Sequence, residues 1–201
     1  MAISMQKTKA CTQDQLLFNN LIDFYQNQEH LTQMIEVIDG RCTNKEGKHV
    51  ISRRIVDWFV TNFAKKYYTV YELVSEKTGE AKRFKVYSDY RSKLTAYSKK
   101  NFDPFCRWDR ISIPYGEDSQ IETTLGQLNF FKWAIQNKVI EYIQDHYDEI
   151  SQDMLQRNSN SRKKTANDAV ATRKKREELS VSACKCIKKE SVKIVVKFNK
   201  V

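Results

Sequence analysis

Apolar positions recur first at helical spacing and then at strand spacing along this chain. Leu17, Leu21, Phe24 or Tyr25, Gln28, Leu31 and Ile35 fall three or four residues apart, which puts them on one stripe. Thr12 and Asp14 open that pattern and Asp39-Gly40 closes it, because glycine readily takes the left-handed end position. One helix is expected there, followed by a polar loop over Arg41–His49. Ser52 reads as the N-cap of a second helix that turns Ile55, Trp58, Phe59, Asn62 and Phe63 inward.

The period then changes. Tyr68–Val74 and Phe84–Tyr87 are aromatic and β-branched, and a glycine-containing connection joins them, so a β-hairpin is expected over 68–87. Ser88 is read as the cap of a short helix, Asp89–Ser98, with Tyr90, Leu94 and Tyr97 inward. Pro104 makes Asn101–Phe105 a turn, and Ile111–Tyr115 has the character of a short strand. From Thr124 to Met154 two apolar stripes run together, one through Leu128, Phe131, Ile135, Val139 and Tyr142. The other runs through Trp133, Ile140, Ile143, Tyr147, Ile150 and Met154, so one long core helix is expected. Residues 157–178 offer almost nothing to a core and read as a linker or a helix extended into solvent. Near the end, Val192, Ile194, Val196 and Phe198 alternate with Lys193, Val195, Lys197 and Asn199, a period of two.

These patterns give an α+β fold, mostly α: a helical body with a β-hairpin, and a C-terminal strand joined to it by a basic linker. The expected divisions are an extension at 1–10, the body at 11–156, the linker or exposed helix at 157–180 and the strand segment at 181–201. A lone strand leaves unpaired backbone groups and an uncovered apolar face. Val192–Phe198 therefore joins the hairpin of its own chain or adds to a sheet of a partner; both routes stay open.

Charge changes the picture more than composition does. The formal net charge is +10. Residues 1–156 balance 21 basic against 21 acidic side chains, whereas 157–201 hold 14 basic and 4 acidic. Within the body, 45–110 carries an excess of eight positive charges and 111–156 an excess of six negative ones. Fields of this kind steer partners of opposite sign. The five cysteines, Cys11, Cys42, Cys106, Cys184 and Cys186, are odd in number and irregular in spacing, which is no disulfide framework and points to reduced thiols. Met1–Ala10 has no apolar signal core, and no run of 18 apolar residues occurs, so neither a leader nor a membrane span is expected.

Familiar catalytic signatures do not assemble. Five glycines cannot build a phosphate-cradling loop, and His30, His49 and His146 fall on separate segments. Cys184 and Cys186 are two thiols where structural zinc takes four ligands. Glu80 and Lys82 have the spacing of a metal-nuclease pair, but their nearest aspartate, Asp57, falls on an expected helix. The expectation is therefore a non-enzymatic protein with no catalytic residues, no metal and no cofactor.

The stronger candidate is a basic block interleaved with rings. Arg83, Lys85, Arg91, Lys93, Lys99, Lys100, Arg107 and Arg110 alternate with Phe84, Tyr87, Tyr90, Tyr97, Phe102, Phe105 and Trp108. Cations contact phosphates and rings stack bases, unless the rings are core and the charges are merely their solvated neighbours. Two further clusters, Arg162-Lys163-Lys164 and Arg173-Lys174-Lys175-Arg176, suit a polyanion clamp or a nuclear address. The order helix–helix–hairpin over 13–87 is also compatible with a winged-helix arrangement.

Three stretches carry a resemblance: Phe84–Leu94, Lys99–Arg107 and Glu122–Ala134, together with Lys174–Ala183 ahead of the lysine-striped strand. They resemble uncharacterised proteins of nucleocytoplasmic large DNA viruses, of the iridovirus, marseillevirus and mimivirus group. The resemblance implies a setting without a mechanism. In that setting the chain is expected to bind nucleic acid, DNA favoured, or to assist genome packaging, in the host cytoplasm, the nucleus or the virus factory. The alternative is a minor structural protein of the virion or capsid that bridges neighbours through its linker and last strand.

Overall fold

The computed structural model describes residues 12–74, 79–115 and 120–168, with side chains described as far as Ser159. The fold is α+β and mostly α: eight α-helical segments and two small antiparallel hairpins among the described residues. No helix there is long and apolar enough to cross a membrane.

The first expected helix is two. Helix α1 (Gln13–Tyr25) starts at Thr12, whose hydroxyl accepts from the Gln15 N–H while the Gln15 side chain accepts from the Thr12 N–H. Asn27 then leaves the helical region, accepts from the Glu29 N–H through its side chain, and starts helix α2 (Gln28–Asp39). The apolar spacing runs on unbroken, so only the stronger preference of asparagine for a cap marks the break. Gly40 ends α2 in the left-handed conformation, φ 71°, as the sequence requires.

Ser52 stands at the N-cap of helix α3 (Arg53–Trp58), although its side chain makes no capping bond. The helix loosens into a π-helical turn, Phe59–Phe63, before helix α4 (Ala64–Lys66). Strands β1 (Val70–Val74) and β2 (Ala81–Lys85) form the expected hairpin, with Tyr71 opposite Phe84 and Glu72 opposite Arg83. Phe84 points inward while Arg83 and Lys85 point out. The return strand ends earlier than Tyr87. Val86, fully buried, donates to the Thr69 carbonyl and already begins helix α5 (Val86–Asn101), so Ser88 lies inside the helix and does not cap it. The expected end at Ser98 is a real interruption, φ 60° and ψ 170°, after which the helix resumes for one short turn.

Strand β3 (Arg110–Pro114) pairs with β4 (Gln120–Thr124), a strand not expected from the sequence. Its pattern is short and its alternating residues are Ile121 and Thr123, the latter buried with its hydroxyl bonded to Gln127. Each sheet among the described residues has two strands; Val192–Phe198 and the cysteine pair lie outside them. The isolated bridge between Thr43 and Val50 joins neither hairpin, so the extra wing strand of a winged helix is not formed among them.

The long helix expected over Thr124–Met154 is three helices: α6 (Leu125–Gln136), α7 (Val139–Asp145) and α8 (Tyr147–Asp168). Thr124 caps α6 through Gln127, and Lys138, left-handed at φ 52°, turns the chain before α7. The Tyr71 hydroxyl donates to the Asn137 carbonyl there, so the hairpin itself holds the bend. Two stripes arise because the chain redirects its apolar face, and α6 is buried nearly all round. Phe130, Phe131 and Ala134 have no exposure, and the Tyr25 hydroxyl donates 2.8 Å to the Leu128 carbonyl across the core. Contacts divide the chain into units at Met1–Arg157 and Asn158–Val201. Helix α8 carries the expected linker region onward as helix as far as Asp168.

Candidate nucleic-acid interface

The chain's basic block is sorted by the fold into core rings and surface cations. Phe84, Tyr90 and Phe102 are buried, and Tyr87 and Tyr97 are half-buried. Their rings meet one another and the α6 rings: Tyr90, Phe102 and Phe130 lie 6.0, 5.7 and 5.7 Å from Trp133. Two rings of the block stay in solvent, Phe105 at 43 % and Trp108 at 66 %. Any base stacking by this block therefore falls to Phe105 and Trp108.

Of the eight cations in the block, Arg107 and Arg110 converge on one cavity. It has a volume of about 390 Å³. Arg53, from the first turn of α3, joins them, and its guanidinium lies 5.9 Å from the Phe105 ring centre. Arg110 reaches diagonally across the second hairpin to Glu122, 2.7 Å, an exposed pair of small energetic weight. Arg53 and Arg107 make no ion pair among the described residues. Glu122 is the one carboxylate in the lining, against three guanidiniums. Thr124 and Gln127, at the start of α6, complete the wall and present the positive end of that helix.

The turn that carries Phe105 and Arg107 is held from several sides. Asp103 accepts from the Phe105 N–H at 2.7 Å and donates its own N–H to the Gly126 carbonyl. Gln127 donates to the Pro104 carbonyl, and the buried Cys106 thiol donates to the Lys100 carbonyl. The other predicted cations are dispersed. Arg83 and Lys85 face outward on β2; Arg91 and Lys93 lie along α5; Lys100 is taken up by Asp14 at 3.3 Å. Lys99, exposed, acts on Asp57 across the gap between α5 and α3. Arg162, Lys163 and Lys164 continue α8, beyond the described side chains, and Arg173, Lys174, Lys175 and Arg176 lie outside the described residues. The interleaved pattern does not reach Arg53, whose place beside Phe105 depends on α3 meeting a turn fifty residues away. Its membership of the 45–110 basic excess is the only sequence signal for it.

Asp57 stands on α3, four residues after Arg53. Burial pushes its carboxyl up to about 6, the charge of Asp103 adds to the rise, and Lys99 partly offsets it. The folded state then holds a proton that the unfolded chain releases near its usual value, so stability falls as pH rises from about 4 to 6. Above that window the penalty is present in full. Asp57→Asn is expected to raise stability at pH 7 by about 1–2 kcal/mol, after discounting for solvent screening, and to change little at pH 4. Urea unfolding of both proteins at the two pH values checks this, and an equal effect at both would show that Asp57 is not the group involved. Among the described residues, no set of three or more His, Cys, Asp or Glu is arranged to hold a metal ion.

A family of unknown function, DUF7197, matches this chain over residues 3–196. The uncharacterized protein L507 of Acanthamoeba polyphaga mimivirus is 36 % identical over 158 residues, covering 76 % of this chain and 58 % of its own length. The chain thus spans under two thirds of that relative. No solved structure matches. The similarity to a giant-virus protein agrees with the viral resemblance read from Phe84–Ala134, and the match over nearly the whole length places this chain in the DUF7197 family.

Proposed function

We propose that this protein is a non-enzymatic nucleic-acid-binding protein of a large DNA virus, acting on DNA during genome handling or packaging. The observation that carries the reading is the cavity lined by Arg53, Arg107, Arg110 and the exposed Phe105, with a single carboxylate among them and the Arg53 guanidinium beside the ring. Guanidiniums match phosphate oxygens two at a time, and an exposed ring beside them offers a stacking face to any base. The first turn of α6 adds a further positive end. The basic clusters Arg162–Lys164 and Arg173–Arg176 supply, by sequence, a polycation that binds without base selection. The viral relative supports the setting.

The test is fluorescence polarisation of labelled single- and double-stranded DNA with the full chain over a salt series. Binding that weakens steeply with salt is expected. Changing Arg53, Arg107 and Arg110 together to alanine should lower the log–log salt slope by roughly 3, one for each phosphate left without its guanidinium. Phe105→Ala should weaken single-stranded binding by about 1–3 kcal/mol and double-stranded binding less. No polarisation change at low salt with the unaltered protein ends the proposal.

A further inference from the structure

Sharing no residue with the arginine cavity, the π-helical turn, the start of β1 and helix α8 line a groove of about 520 Å³. Its character is opposite to that of the arginine cavity. Phe63, Tyr67, Tyr68 and Tyr142 supply rings, and Glu149 and Asp153 supply carboxylates. We infer that this groove receives a lysine side chain from a basic protein segment.

The groove already shows how it treats an ammonium. Lys66 Nζ lies 2.5 Å from Asp153 Oδ1 and 4.6 Å from the centre of the Tyr67 ring, so carboxylate and ring share one cation. Asp153 is 8 % exposed and also accepts from the Trp58 indole N–H at 3.1 Å and from the Tyr67 hydroxyl. Burial pushes the Asp153 carboxyl up, and its hydrogen bonds from Lys66, Trp58 and Tyr67 more than reverse this. It stays charged and is already neutralised locally by Lys66.

Glu149 is different. It projects from the first turn of α8, exposed, with no ion pair among the described residues. Tyr68 stands beside the groove at 86 % exposure, on a backbone of φ 50° that holds an aromatic residue in the left-handed region. Rings of this kind cover the methylenes of a lysine, and their negative faces attract its ammonium. A carboxylate left without a partner supplies the charge. With Asp153 already paired to Lys66, Glu149 is the carboxylate left to draw a further cation and repel phosphate, so this groove differs in chemistry from the proposed DNA contact. Charge selects the occupant: a lysine-bearing strand of protein fits where a polyanion does not.

The test uses the ¹⁵N-labelled full chain and two capped pentapeptides, Gly-Ser-Lys-Ser-Gly and its norleucine counterpart. The Trp58 indole resonance reports on the groove through its hydrogen bond to Asp153, and that of Trp133, in the core, reports that the fold is intact. The lysine peptide is expected to shift Trp58 saturably and leave Trp133 in place, while the norleucine peptide shifts neither. Glu149→Gln and Tyr68→Ala should each weaken that binding by about two- to fivefold, both residues being exposed enough to be changed without unfolding. Equal shifts from both peptides, or none from the lysine peptide, overturn the inference. The peptide shifts are read without DNA, so they hold or fail independently of whether DNA binds at the arginine cavity.

Discussion

Replacing Trp133 with alanine is expected to lower the unfolding free energy by about 3–5 kcal/mol, the usual range for removing a large buried ring. Trp133 is 3 % exposed and meets the rings of Phe84, Tyr90, Phe102 and Phe130 at centroid distances of 5.7 to 6.2 Å. Its indole N–H also donates 2.6 Å to Asp89, so the same change leaves a partly buried carboxylate without its donor. These contacts join the first hairpin, α5, the turn after it and α6. No neighbouring side chain can collapse into a space bounded by four stiff rings. For a domain of this size about 2–4 °C of melting temperature accompanies each kcal/mol, so a fall of roughly 10 °C is expected by calorimetry. A loss under about 1 kcal/mol in Trp133→Ala would mean that the aromatic cluster is not the centre of the core.

Gly126→Ala is the second large effect, and here two principles oppose each other. In an open helix the change favours folding by up to about 1 kcal/mol, because glycine is the poorer helix former. At position 126 the added Cβ falls 2.7 Å from the Lys100 carbonyl oxygen and 3.0 Å from the Cys106 side chain. A backbone oxygen cannot step aside like the end of a flexible side chain, and such overpacking costs about 1–3 kcal/mol, so destabilisation wins. The consequence reaches the cavity. Gly126 accepts from the Asp103 N–H, and the same turn carries Phe105 and Arg107. If the proposed DNA contact holds, the variant loses DNA affinity along with stability, measured by polarisation under conditions where circular dichroism shows it folded. Stability at or above that of the unaltered protein would show that the turn and α6 do not meet this closely.

Within the chain, signals carried by local residue chemistry were legible. Thr12 capped a helix, Gly40 ended one, the Tyr68–Tyr87 region made a hairpin, and Ser98 interrupted α5 close to where the pattern weakened. Each depends on side chains within four residues, or on one residue's own freedom of rotation. The breaks at Asn27 and Lys138 were not legible, since apolar spacing continues across both. The Lys138 bend is held by Tyr71, sixty-six residues from its acceptor Asn137.

The candidate site divides in the same way. Arg107, Arg110 and Phe105 could be named from an interleaved block, but interleaving alone does not say which rings are core. Burial against α6 removed Phe84, Tyr90 and Phe102 from the surface, and left Phe105 and Trp108 on it. The amino-acid order by itself determined the mostly helical class, the first hairpin and the uneven charge, because helix and strand periods and the count of ionised groups are local properties. Only the tertiary structure decided that Arg53 completes the cavity and that Tyr67, Tyr68 and Glu149 share a groove, because long-range packing alone sets which distant surfaces meet.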